Sequence, residues 1–177
     1  MSSNAYEEDG PERNCSGSLI GIARRSDRYV PMETVASGLI TNEAGLQGDH
    51  KGPKFPKRQI TILAIEDWSA ALADLTLPGQ RKVDLPWTVR RANLLTQGLR
   101  LPRARGAILR VGDVELTVEA QLLPCARMDK AHDGLRKALH PNWRGGLACS
   151  VSRGGAISLQ DEIIVLHHPP EKTRRLP

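Results

Sequence analysis

Residues 107–118 read Ala-Ile-Leu-Arg-Val-Gly-Asp-Val-Glu-Leu-Thr-Val, two short apolar runs separated by a glycine and an aspartate. In the second run Val114, Leu116 and Val118 alternate with polar residues, so they share one face of an extended chain. Gly112-Asp113 indicates a two-residue turn, because glycine readily takes the positive φ that tight hairpins need. The stretch therefore predicts a β-hairpin, and it makes strands the main element to look for elsewhere.

Other short apolar runs are also typical of strands, and they occupy residues 18–23, 58–64, 147–151, 156–159 and 163–167. Short strands separated by turn residues favour a closed or partly closed barrel. One helix is clearly indicated, since Ile65, Trp68, Leu72 and Leu75 fall on one helical face. A weaker helix is predicted over 133–139. The predicted fold class is mostly β and barrel-like, with a few short helices.

The chain of 177 residues is expected to form one domain. Residues 1–16 and 168–177 are polar and are predicted to be a flexible leader and a flexible tail, which leaves an ordered domain over 17–167. No apolar stretch has the length of a signal peptide or a membrane span, so a cytoplasmic protein without membrane contact is expected. The three cysteines cannot form a complete disulfide set, which fits a reducing compartment.

The formal net charge of +5 and the pI of about 9.4 favour anionic partners. The basic residues are scattered along the chain, with pairs such as Arg90-Arg91 and Arg174-Arg175 but no long run. Aromatic residues make up only 3% of the chain, too few for a good stacking platform for nucleic acid. The arginines therefore form either a solvated surface of mixed charge or an anion-binding pocket built from a few of them.

Cys125 is the candidate functional residue. It follows an apolar run and a proline, and it lies two residues before Arg127. A nearby cation favours the thiolate, the form of cysteine that attacks electrophiles and ligates metals. Local chemistry alone favours the simpler interpretation of a buried core cysteine. Cys149 lies inside a predicted strand and is interpreted as structural, and Cys15 falls in the leader and is interpreted as incidental.

Four segments, in this order, resemble the MOSC domain family, which is named for the C-terminal domain of molybdenum cofactor sulfurases. They are Gly45-Leu46-Gln47-Gly48-Asp49-His50, the stretch 90–99, Leu123-Pro124-Cys125, and Arg144-Gly145-Gly146 running into 153–157 and Asp161. The resemblance covers residues 17–167 and implies a mostly β, barrel-like MOSC fold. Two positions depart from the family pattern: Gln160 stands where relatives usually have glycine, and Ala92 where many have a charged residue.

The resemblance implies a protein that binds the molybdenum cofactor (molybdopterin), or carries sulfur, through Cys125. Cys125 is then both the catalytic residue and the metal ligand, and soft thiolate suits such a metal. The cofactor-binding residues that it implies are Arg127, Arg144, Asn93, Asp49 and His50.

The implied activities are reduction of N-hydroxylated compounds, as an oxidoreductase, or sulfur transfer. Either activity acts on a small-molecule substrate and needs a separate protein that donates electrons or sulfur. Pyridoxal phosphate binding is a further property that the resemblance implies. Whether the protein is an enzyme is left open at this stage.

Several of these residues also have simpler interpretations. Asp49 and His50 suit turn chemistry in a glycine-rich loop, and Asn93 suits a contact with loop backbone. Arg127 and Arg144 suit a solvated surface. For the two arginines the functional and the simple interpretation have about equal weight.

Two rival functions are also open. One is a non-catalytic module that binds anions or nucleic acid, which the net charge motivates and which would not need Cys125. The other is a hydrolase that pairs Cys125 with His132, although Asp133 beside it suits a helix cap. Lys57 and Arg58 precede a predicted strand, and we interpret them as a solvated edge.

Overall fold

The computed structural model describes residues 15–171. Its strands are β1 (Ser16–Arg24), β2 (Glu33–Thr34), β3 (Ser37–Thr41), β4 (Gly45–Leu46), β5 (Ile60–Ala64), β6 (Leu94–Gln97), β7 (Ile108–Val111), β8 (Val114–Gln121), β9 (Leu147–Arg153), β10 (Gly155–Ser158) and β11 (Glu162–His167). The α-helices are α1 (Ile65–Leu75), α2 (Arg127–Ala131) and α3 (Leu135–Leu139). Short 3-10 turns occupy Gly52–Lys54, Pro56–Arg58, Trp87–Arg90 and Pro141–Trp143.

Seven strands close into a barrel in the order β11-β7-β8-β9-β5-β6-β1, because β11 also pairs with β1. Neighbouring barrel strands are antiparallel except β5 and β6, which pair in parallel. The parallel pair needs a crossover, and α1 lies in the chain that connects the two strands. The predicted fold class, mostly β and barrel-like with a few short helices, is confirmed.

The core has two parts that share strand β5. Ile60 and Ile62 point into the barrel with Leu94, whereas Leu63 packs on the outer side with Trp68 and Leu135. All five residues of β5 are therefore buried. The sequence predicted an alternating strand here, but helices α1 and α3 cover the face that would otherwise meet solvent.

A small sheet of β10, β3 and β4 lies beside the barrel. Its Ile40, Leu46 and Ile157 belong to the same hydrophobic cluster as the barrel interior. This packing fixes β4 against the barrel, and the chain leaves β4 directly into residues 47–58. That segment supplies several residues of the candidate site.

The predicted hairpin is confirmed, with Val111 opposite Val114 and Gly112 at φ +55°. Helix α1 is also confirmed over the predicted face. The second predicted helix is shorter than expected, because α3 starts at Leu135 and its N-cap is Gly134. The prediction of Asp133 as a helix cap is therefore wrong, since no side chain caps α3.

Part of the predicted leader and tail lies outside the described residues, namely 1–14 and 172–177, so their flexibility stays a prediction. Within the described part, Ser16 already belongs to β1. The carboxylate of Glu171 accepts hydrogen bonds of 2.7 and 2.8 Å from Arg100, and these bonds lower the pKa of Glu171 to about 2.

Over residues 15–171 we find no helix with the length and apolar character that crossing a bilayer requires.

Gln160, where the resemblance implies a glycine, lies in the turn between β10 and β11. Its φ is +74°, a left-handed conformation that disfavours side chains with a Cβ. The Asp161 carboxylate accepts a 2.8 Å hydrogen bond from the Ser158 backbone N–H, which helps to hold the turn. The turn therefore keeps the backbone geometry of a glycine position and tolerates the glutamine.

We expect Gln160→Gly to raise the free energy of unfolding by about 1 kcal/mol, because glycine removes the strain of the left-handed conformation. Urea denaturation of the purified protein measures the change. Gln97→Gly, in the extended strand β6, is the matched control and should lower stability by about 0.5–1 kcal/mol. An equal loss in the free energy of unfolding for Gln160→Gly and Gln97→Gly would contradict the strain assigned to Gln160.

Candidate functional site

A cavity of about 510 Å³ opens beside Cys125. Its lining consists of Arg25, Arg28, His50, Lys51, Lys54, Phe55, Arg58, Arg90, Arg91, Cys125, Arg127 and Met128. Eight of these twelve residues are lysine or arginine, and no described lining residue is acidic. The fold thus gathers at one opening cations that are scattered in the sequence. They form a pocket, and the binding of an anion in that pocket stays a prediction.

Four separate segments supply this lining: the loop after β1, the chain between β4 and β5, the 3-10 turn before β6 and the chain that follows β8. Asp49 joins the first two. Its buried carboxylate accepts hydrogen bonds from the backbone N–H groups of Arg25 at 3.1 Å and Lys51 at 3.2 Å. Asp49 does not line the cavity, but it fixes two loops that do.

Arg90 joins the other two segments. Its guanidinium is buried and donates from Nε to the Gly145 carbonyl at 2.9 Å and from Nη2 to the Leu122 carbonyl at 2.7 Å. Leu122 lies three residues before Cys125 in the chain, so these bonds position the segment that carries the thiol. A Cβ on Gly145 would lie 2.2 Å from the Leu122 carbonyl oxygen, which explains the glycine at this position.

Crowded positive charge and burial both act on the cations of the cavity. Burial, with a smaller contribution from Arg58, lowers the pKa of Arg90 to about 10, and the charge of Cys125 opposes the change. Burial also lowers the pKa of Lys51 to about 8, with contributions from Arg58 and Arg25 and opposition from Asp49. Like charges disfavour one another's ionised form, and an anion in the cavity would relieve that repulsion.

The structure brings together three of the residues that the sequence singled out: Cys125, Arg127 and His50 all line the cavity. The sequence interpreted Arg58 as a solvated edge, and it missed six other cations of the lining: Arg25, Arg28, Lys51, Lys54, Arg90 and Arg91. Basic pairs such as Arg90-Arg91 were visible in the sequence. Nothing local showed that these pairs converge, since the convergence depends on barrel closure.

Asn93 lies elsewhere in the fold. Its Oδ1 accepts hydrogen bonds from the backbone N–H of Thr61 at 3.0 Å and from the Thr61 hydroxyl at 2.9 Å. Its Nδ2 donates to the Ala23 carbonyl at 3.2 Å. The amide thus joins β5 and β1 to the chain before β6. Its role is structural, as the simpler interpretation had it, but its partners lie in strands and not in a loop. Asn93 does not line the cavity.

Arg144 is also absent from the described lining of the cavity. Its guanidinium pairs with the carboxylate of Asp74 on α1 and donates to the Ala138 carbonyl. His132, the proposed partner of a hydrolase, does not line the cavity either, and its Nδ1 lies 2.9 Å from the Asp133 carbonyl oxygen. The arrangement therefore gives no support to a Cys125–His132 pair.

The cysteines differ sharply in access. Cys125 is exposed, and Cys15 is exposed as well. Cys149 is fully buried inside the barrel, and burial raises the pKa of its thiol. Cys149 therefore has the structural position that its strand predicted, and Cys125 is not a core cysteine.

Comparison with protein families identifies the class of this domain. A model of the MOSC domain matches residues 47–164, about two thirds of the chain. The chain belongs to the MOSC domain family, whose members are associated with the molybdenum cofactor. Among curated proteins no match to the chain was found.

Solved structures with the same fold include the YuaD protein from Bacillus subtilis, with a TM-score of 0.66, 19% identity and coverage of 84% of this chain and 94% of that one. YiiM from Escherichia coli is similar at a TM-score of 0.62 and 18% identity, over 86% of this chain and 71% of that one. YiiM from Geobacillus stearothermophilus is similar at a TM-score of 0.56 and 16% identity, over 88% of this chain and 75% of that one. These similarities show a shared fold.

We expect the cation cluster to make Cys125 select anionic reagents. In a Cys15→Ser background, the ratio of the alkylation rates with iodoacetate and with neutral iodoacetamide should be about three- to tenfold higher at Cys125 than for free cysteine. Salt should lower this ratio by screening. Peptide mass mapping measures both rates, with Cys149 unmodified in the folded protein as the internal control. A ratio equal to that of free cysteine would contradict the cationic environment.

Lys51 should make anion binding depend on pH. The amine is charged below its pKa of about 8 and neutral above it, so affinity for sulfate should fall between pH 7 and pH 9.5. Calorimetric titration in a Cys125→Ser background measures this, because the serine removes thiol ionisation. Lys51→Met should bind more weakly and lose most of this pH dependence, whereas an unchanged pH profile would show that Lys51 does not contribute.

Proposed function

We propose that this MOSC-domain protein binds the molybdenum cofactor, with the Cys125 thiolate as the protein ligand of molybdenum. The observation that carries the proposal is an exposed thiol on the wall of a cavity with eight basic residues. The cavity volume of about 510 Å³ falls within the range of about 300–1,000 Å³ that is usual for cofactor sites. Soft thiolate suits molybdenum, and arginine suits phosphate.

The residues present fit this cofactor in two further respects. Arg91 lines the cavity, and its Nη1 is buried without a hydrogen bond to any described residue. Such a buried donor calls for an acceptor. Across residues 15–171, no group of three or more His, Cys, Asp or Glu side chains could hold a bare metal ion. In this proposal Cys125 would supply the protein ligand, and the cofactor itself would supply the others.

Each residue type has a definite task in this proposal. The Cys125 thiolate binds the metal, and the arginines bind the phosphate of the pterin by charge-assisted hydrogen bonds. Lys51 Nζ, with its pKa of about 8, can hold or release a proton near neutral pH. When bound, the cofactor supplies two-electron redox chemistry. We assign the protein to the reduction of small N-hydroxylated compounds, in the cytoplasm, with electrons from a separate donor protein.

A second candidate is sulfur carriage by Cys125, and the exposure of its thiol favours it. A carrier must receive sulfur from a donor and pass it on, so its thiol must be accessible. The cations would then stabilise a persulfide anion in place of a metal-bound thiolate. A binding module without chemistry uses the same cations but does not need the thiol.

Metal and pterin analysis tests the first candidate. Protein from a host that supplies molybdate should contain molybdenum and fluorescent pterin in equal amounts, and Cys125→Ser should lose most of the molybdenum. Cys15→Ser, the control at another exposed thiol, should keep both. Arg58→Met with Arg127→Met should lose pterin, because the phosphate would lack its cations. The absorption spectrum of the same preparation tests for pyridoxal phosphate.

The contrary results separate the candidates. Absence of molybdenum and pterin, with cyanide-labile sulfur on Cys125, would overturn the redox proposal and leave sulfur carriage. Anion binding that persists unchanged in Cys125→Ala, with neither cofactor nor labile sulfur, would leave only the binding module.

A further inference from the structure

The lining of the cavity is strongly positive, and sulfur carriage by itself does not explain so many cations. A thiol that only exchanges sulfur with a partner protein needs access, and one neighbouring cation is enough to favour the thiolate. Here eight lysine and arginine residues line the wall, and burial and like charge lower the pKa of Lys51 to about 8. Such crowding is costly, so the chemistry at Cys125 should involve a ligand with more than one negative charge.

Arg91 adds a further cation to the cavity wall. Its φ of +61° is that of the left-handed C-cap of the 3-10 turn Trp87–Arg90. The side chain lines the cavity, and Nη1 is buried without a partner among the described residues. An anion in the cavity would balance the charge of this guanidinium.

We propose that Cys125 takes its sulfur from a small oxyanionic donor of the thiosulfate class. The proposal rests on the sulfur-carrier candidate and names the chemical class of its donor. Such a donor combines a transferable outer sulfur with an anionic group of three oxygens. The oxygens suit the arginines of the wall, and the outer sulfur suits attack by a soft thiolate.

The transfer step balances without any further reactant. The Cys125 thiolate attacks the outer sulfur, a new S–S bond forms at Cys125, and the S–S bond of thiosulfate breaks. The electron pair of the broken bond leaves with sulfite, while the pair of the thiolate forms the new bond. A thiolate and a thiosulfate dianion thus give a persulfide anion and a sulfite dianion, with no external oxidant, reductant or proton.

The cations contribute to both ends of this step. They attract the dianion to a thiolate that would otherwise repel it, and they stabilise the charge that develops on the sulfite leaving group. Arg58 and Arg127 are the natural residues to test, because both are exposed and no described hydrogen bond of either side chain holds the fold together. Arg25 and Arg90 are unsuitable, since their side chains also bond to backbone carbonyls.

The test is a single-turnover reaction with thiosulfate labelled in the outer sulfur. The reduced Cys15→Ser protein should take up label and release sulfite in equal amounts, and peptide mapping should place the extra sulfur on Cys125. Cys125→Ser should take up none. Arg58→Met with Arg127→Met should load about tenfold more slowly or worse. This loss should exceed any loss in the rate of alkylation by neutral iodoacetamide, which reports the thiolate fraction without attraction of an anion.

Arg105→Met is the matched control, because Arg105 is exposed, lies outside the cavity lining and pairs with Glu119. It should load at the parent rate. Loading that does not respond to the paired arginine substitutions would overturn the role given to the cations.

A second donor distinguishes failure of this inference from failure of the carrier role. A cysteine desulfurase with cysteine as substrate offers a protein-bound persulfide in place of an oxyanion. If Cys125 is loaded by the desulfurase but not by thiosulfate, the oxyanion donor is overturned and the carrier role stands. If neither donor loads Cys125, both are overturned.

Discussion

The buried guanidinium of Arg90 holds the candidate site together. Its hydrogen bonds of 2.9 Å to Gly145 and 2.7 Å to Leu122 tie the turn before β6 to the loop before β9 and to the chain that leads to Cys125. A charged donor replaced by an apolar side chain would leave two carbonyl oxygens without partners, a loss of about 1–3 kcal/mol for each buried group. Because Arg90 also lines the cavity, the same group positions the thiol and adds to the charge around it.

The concentration of positive charge at the cavity opposes folding. Cations that share one opening repel one another. Burial, and to a smaller extent the charges of Arg58 and Arg25, lower the pKa of Lys51 to about 8. Asp49 opposes this change, and its carboxylate fixes both loops by accepting hydrogen bonds from the backbone N–H groups of Arg25 and Lys51. Groups with such perturbed pKa values concentrate at functional sites. The arrangement therefore supports the proposal of an anionic ligand.

Local sequence patterns predicted the elements that depend on local physics. Alternation and a turn glycine predicted the β7–β8 hairpin, and helical spacing predicted α1. Strand β6 was missed because its short apolar run, Leu94–Leu95, has no alternation and its parallel partner is distant in sequence. The Arg144-Gly145-Gly146 segment was singled out through the family resemblance. No local pattern indicated that Gly145 lies against the Leu122 carbonyl, which is distant in the chain.

The sequence by itself determined the mostly β class, because strand alternation and turn glycines are properties of neighbouring residues. It also indicated the candidate thiol, through the order of four short segments along the chain. Only the tertiary structure decided which charges surround that thiol. Arg25, Lys51, Arg91 and Arg127 lie in four different segments, and they meet because the barrel closes β11 onto β1 and α1 carries the chain from β5 to β6. Electrostatic interaction depends on distance in space, and no pattern of neighbouring residues encodes that distance.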